Sequence, residues 1–74
     1  MNKDIIKGKW KEVRGKLKQE FAKLTDDDIA KMEGTYDELE GKLQKTYGYD
    51  KDRAKKAIDD FVTKNNFDKE ETTY

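Results

Sequence analysis

Apolar residues recur at intervals of three and four along almost the whole chain, and this periodicity constrains the fold more than any other feature. Ile6, Trp10, Val13, Leu17 and Phe21 are spaced by 4, 3, 4 and 4 residues. At ~100° per residue they gather into a stripe roughly 80° wide, which predicts an amphipathic helix over about residues 3–23. A second stripe joins Ile29, Met32, Tyr36, Leu39, Leu43 and Tyr47. A third joins Ala54, Ala57, Ile58, Phe61 and Val62 and predicts a helix over about 51–65. The expected fold is therefore all-α, a small bundle of three to four helices. Its expected core is Ile6, Trp10, Val13, Leu17, Phe21, Ile29, Met32, Tyr36, Leu39, Leu43, Tyr47, Ala54, Ile58 and Phe61.

The joints between stripes carry helix-terminating chemistry. Thr25 before Asp26-Asp27-Asp28 reads as an N-cap followed by an acidic first turn, where free N–H groups and the helix dipole favour negative charge. That reading accounts for the acidic triplet better than metal binding does. Gly48 suits a left-handed helix end and Asp50 suits the cap of the next helix. Asn65-Asn66 is expected to stop the last helix, so the domain is placed at residues 1–66. Residues 67–74 then form a polar tail that is expected to fray.

Residues 6–21 repeat as residues 32–47. Gly8 falls on Gly34, Trp10 on Tyr36, Glu12 on Glu38, Val13 on Leu39, Gly15 on Gly41, Leu17 on Leu43 and Phe21 on Tyr47. Each copy is followed by a capped turn, so the chain reads as two duplicated α-hairpin units. One boundary stays open. Residues 26–47 are either one continuous helix or a short helix followed by a long one.

The chain has 74 residues and no His, Cys, Ser or Pro. Ser–His and Cys–His nucleophilic catalysis is thereby excluded, and zinc, haem and iron–sulfur centres lose their usual ligands. The remaining carboxylates and lysines would need a desolvating pocket to act as acids or bases, and a short polar helical chain rarely encloses one. The expectation is a protein without catalytic activity, metal or cofactor. Met1 to Lys7 leads into charged sequence instead of an apolar signal segment, and the absence of cysteine fits a reducing compartment, so a cytoplasmic location is expected.

Four glycines stand out. On a helical wheel Gly8, Gly15, Gly34 and Gly41 lie opposite the apolar stripes of their own helices. An exposed helix-interior glycine costs ~1 kcal/mol relative to alanine, so these positions either keep the helices pliable or admit a partner backbone.

Charge is balanced at 17 bases against 17 acids, but it is segregated. Residues 1–23 carry a net +5, residues 24–50 a net −5, and residues 51–74 six of each sign. Lys7, Lys11, Arg14 and Lys18 form one flank of the first stripe, and Glu33, Asp37 and Glu40 flank the second. Antiparallel packing is expected to bring these flanks together, with Glu12–Lys16 and Glu38–Lys42 as i,i+4 pairs. The basic flank and the outer glycines are the candidate partner-binding positions. Nucleic acid is disfavoured as a partner by the zero net charge and the single arginine on the first helix. An anionic membrane surface is disfavoured because the apolar stripe reads better as core. An unidentified protein client or partner is expected, with the chain taken as a monomer.

Gly8-Lys9-Trp10-Lys11, Gly15-Lys16-Leu17-Lys18, Leu24-Thr25-Asp26-Asp27-Asp28, Gly41-Lys42-Leu43-Gln44 and Tyr47-Gly48 together resemble the CsbD-like family of small bacterial proteins over roughly residues 2–62. The resemblance implies a cytoplasmic all-α domain of short packed helices, abundant in general stress and stationary phase. It brings no catalytic residue, cofactor or ligand with it. Gly34-Thr35-Tyr36-Asp37 lacks the basic residue that often follows that glycine, and the tail from Phe67 extends beyond the matched region.

Overall fold

The computed structural model describes residues 3–68. Five helices follow in order: α1 (Asp4–Gly8), α2 (Trp10–Glu20), α3 (Asp26–Ala30), α4 (Tyr36–Tyr47) and α5 (Lys51–Lys64). The architecture is all-α, as the apolar periodicity predicts. The helix expected over 3–23 is divided at Lys9, whose φ of −116° and ψ of 25° leave the helical region. Hydrogen bonding nevertheless continues through the bend, with Lys9 N–H donating to the Ile5 carbonyl at 3.0 Å and Val13 N–H to the Lys9 carbonyl at 2.8 Å. The result is a kink beside a glycine, a usual place for one.

Residues 26–47 form two helices, the second of the alternatives left open by the sequence. Thr25 caps α3 through a capping box with Asp28, and Thr35 caps α4 through a capping box with Glu38. Gly48 ends α4 at φ 70°, and the Asp50 carboxylate accepts from Arg53 N–H at 2.7 Å at the start of α5. Each capped N-terminus satisfies N–H groups that would otherwise lack an intrahelical partner.

The duplication is visible in the backbone, because α2 and α4 start on the matched residues Trp10 and Tyr36. Helix α4 packs along α5 and against α1, while α2 packs against α1 and α3. Ile6, Val13, Leu17, Leu24, Leu39, Leu43, Ala54, Ile58, Phe61 and Val62 are fully enclosed, and Phe21, Ile29, Met32, Tyr36 and Phe67 are nearly so. Trp10 and Tyr47, expected in the core, are only half-buried at its margin. Leu24 and Phe67 join it from outside the stripes.

Phe67 corrects the domain boundary at residue 66 and its placement in a fraying tail. Asn65-Asn66 does end α5, with Asn66 at φ 59°. Asn66 N–H then reaches back to the Thr63 carbonyl and Phe67 N–H to the Val62 carbonyl, the paired bonds of a Schellman ending. That turn drops the Phe67 ring onto Phe61 with centroids 5.5 Å apart. The rest of the tail, residues 69–74, lies outside the described residues.

Candidate interaction surface

Three of the four singled-out glycines face outward as expected. Gly8, Gly15 and Gly41 are exposed, and a Cβ on any of them would meet nothing within 4 Å. Gly34 does not belong with them. It lies in the loop between α3 and α4, is buried, and has a φ of +96° that side chains rarely adopt. A Cβ there would stand 2.6 Å from Cγ of Trp10. The wheel placed Gly34 on an outer face because it assumed that the helix ran through it.

The same loop forms a small anion cradle for one of the chain's own carboxylates. Glu38 accepts from Glu33 N–H at 2.9 Å and 3.0 Å, from Thr35 N–H at 3.1 Å and from the Thr35 hydroxyl at 3.1 Å. These bonds, led by that from Glu33 N–H, hold the Glu38 carboxyl below its usual value. Asp28 is lowered in the same way, chiefly by the bond from the Thr25 backbone. Glu38 is thereby committed to capping, which corrects the expected Glu38–Lys42 pair. Lys42 reaches Asp28 instead, at 3.4 Å, joining α4 to α3 in a half-enclosed contact. Glu12 and Lys16 form no ion pair among the described residues.

The expected face-to-face neutralisation of the two charged flanks does not occur. Asp37 takes Lys3 at 3.4 Å, and Lys18 takes Asp26 at 2.8 Å. Glu40, expected on an exposed acidic flank, is 8% exposed, and its Oε2 has no hydrogen-bond partner among the described residues. Lys7, Lys11 and Arg14 are exposed and make no ion pair with a described residue. Arg14 and Lys18, with Gly15 and Gln19, border an open groove of about 550 Å³ whose opposite wall is Asp26, Ile29 and Ala30 of α3.

Just past the C-terminal end of α2 lies an aromatic margin that the core stripes alone do not reveal. Tyr47 stacks on Tyr49 at 5.2 Å, Lys23 Nζ stands 5.2 Å from the Tyr47 ring, and the Arg53 guanidinium stands 5.2 Å from the Tyr49 ring. Lys23 N–H also donates to the Tyr47 hydroxyl at 3.2 Å. These contacts fasten the α2–α3 turn to the α4–α5 turn. The clue in the sequence was the Tyr-Gly-Tyr run with a basic residue four positions on.

Among the described residues no group of three or more His, Cys, Asp or Glu side chains is arranged to hold a metal ion. No described helix is long and apolar enough to cross a membrane.

The family model described as CsbD-like matches residues 4–56. The protein YjbJ of Salmonella typhimurium, a UPF0337 protein, is 51% identical over 67 residues, which cover 90% of this chain and 96% of that one. YjbJ of Escherichia coli K12 is 49% identical over 67 residues, covering 90% and 97%. The UPF0337 protein PA4738 of Pseudomonas aeruginosa is 49% identical over 61 residues, covering 82% and 94%.

Proposed function

The chain belongs to the CsbD-like family, and on that premise we propose that it is a small hydrophilic protein of the bacterial general stress response. It works without catalysis, in the cytoplasm, through hydration, shielding or weak contacts with protein clients. The observation that carries this reading is the open helix exterior. Gly15 and Gly41 sit inside α2 and α4 with free space around them, in a chain that is 46% charged with a mean hydropathy of −1.29. Such a surface stays soluble when water is scarce, and helices weakened by ~1 kcal/mol per glycine yield easily to a client. In a test, a labile enzyme is heated or dried with the protein and its residual activity and turbidity are followed. Protection above that from an equal mass of an inert protein is expected, and parity would refute the reading.

The groove floored by Gly15 favours a second reading, an adaptor with one specific protein partner. Gly15→Ala would fill that floor while strengthening α2. Loss of a captured partner from stressed cells, despite raised stability, would select the adaptor over the general protectant.

A further inference from the structure

Folding distributes the chain's neutrality unevenly. Of the eight acids between residues 24 and 50, Asp28, Glu38 and Asp50 cap helices, Asp26, Asp27 and Asp37 are held by lysines, Glu40 is buried, and Glu33 is exposed. The bases of α1 and α2 receive little in return. Lys7, Lys11 and Arg14 are exposed and unpaired among the described residues, and with Lys18 they follow one another at intervals of four, three and four. The acids beside this row are Asp4 and Asp37 at one end, where they share a shallow groove with Lys3 and Lys7, and Asp26 at the other. Asp37 is occupied by Lys3 and Asp26 by Lys18, so Lys7, Lys11 and Arg14 are the cations of the row left open to an anion.

We propose that this row is a docking strip for the phosphodiester backbone of nucleic acid, read without regard to base sequence. From Lys11 to Lys18 the helix rises roughly 10 Å, an axial length over which one duplex strand presents about three phosphates. Three of the four cations are lysines, point charges that follow a backbone without the planar fork needed to read base edges. A bilayer offers this face less. Ile6, Val13 and Leu17 of the same two helices are fully enclosed in the core and supply no apolar wedge. The zero net charge that disfavours nucleic acid in the sequence is a sum over the whole chain, whereas seven of the eight acids between residues 24 and 50 cap helices, are held by lysines or are buried.

The test is fluorescence anisotropy of a labelled duplex of mixed sequence with the full chain, titrated across salt from about 20 mM to about 100 mM. Binding is expected at the low-salt end, with log K falling against log salt at a slope of about −3, near 0.9 for each phosphate neutralised. The Lys11→Gln, Arg14→Gln double variant should bind at least ~10-fold more weakly at low salt and lose about two units of slope. Lys55→Gln with Lys56→Gln, which removes two bases from α5, should leave both quantities unchanged. Matching circular-dichroism melts establish that each variant is folded, and Lys7→Gln alone should lower the slope by about one. Absence of binding at low salt, or equal losses from the two double variants, would overturn the proposal. So would equal or tighter binding of the same row to poly-glutamate or to anionic vesicles at matched charge.

Discussion

The two copies of the repeat start their long helices on matched residues, yet the chain reaches those starts by different backbones. In the first copy Gly8 closes α1 in open space, and Lys9 carries the chain across a kink without a side-chain cap. In the second, Gly34 turns at φ +96° and Thr35 closes a capping box with Glu38. The two copies meet at this point, because the Trp10 ring of one rests on the Gly34 backbone of the other. Only one of two equivalent glycines can occupy the inside of such a contact. A second asymmetry follows from helix length. Helix α2 faces the five-residue α3 and leaves Arg14 exposed, while α4 lies along the fourteen-residue α5 and its matched residue, Glu40, is buried. Duplication sets where helices begin, and docking of the copies sets what each matched residue experiences.

The most severe way to break this comparison is Gly34→Ala. A left-handed φ and a clash with the Trp10 ring should together cost about 2–4 kcal/mol, read from urea denaturation. In a Trp10→Ala background the clash is gone and only the backbone strain remains, so the double-mutant cycle should show strong coupling. Gly8→Ala, its repeat mate, should show no such coupling.

Glu40 and Arg14 give the next contrast. Glu40→Leu removes a buried oxygen without a partner and should stabilise the domain by about 1–3 kcal/mol, whereas Arg14→Leu should change stability by less than about 0.5 kcal/mol. Carboxylates crowd this position. Burial first, then Asp59, Glu40 and Asp37, push the Tyr36 hydroxyl above its usual range. A lower urea midpoint in Glu40→Leu would show that the carboxylate is better accommodated than its unpartnered oxygen implies.

Thr35→Ala should cost about 1 kcal/mol through loss of the α4 cap, and Lys9→Ala, at the matched position, only a few tenths. Where the copies agree, matched variants should agree too. Gly15→Ala and Gly41→Ala each meet open space and should each stabilise by about 0.5–1 kcal/mol, measured by thermal melting.

The smallest effect is expected in acid. Asp28 and Glu38 are held below their ordinary values in the folded chain, so their stabilisation is complete above the unfolded values. It fades as pH falls through the folded ones, from about pH 4 downward. Urea midpoints should drop across that window, and the drop should be shallower in Thr25→Ala and Thr35→Ala.

Most of the core was legible from apolar spacing, because a residue every three or four positions must share one side of a helix whatever that helix packs against. The caps at Thr25, Gly48 and Asp50 were legible for the same local reason, each depending on residues within one turn. Leu24 and Phe67 were not, since both reach the core from turns and lie off any stripe. The ion pairs were misread for a related reason. The flanks of two helices predict contacts only if both helices run straight and unbroken, and the kink at Lys9 and the loop at Gly34 remove that condition.

The sequence by itself determined that this chain is helical, that it is duplicated, and that helix ends fall at Thr25, Gly48 and Asp50. These properties follow from periodicity and from hydrogen bonds made within a few residues. Only the tertiary structure decided that Gly34 lies inside and Gly8 outside, that Glu40 is enclosed, and that Lys7, Lys11 and Arg14 have no acidic partner among the described residues. Those outcomes depend on which face of one copy meets the other, and local sequence does not specify which of two matched glycines fills the inside of that contact.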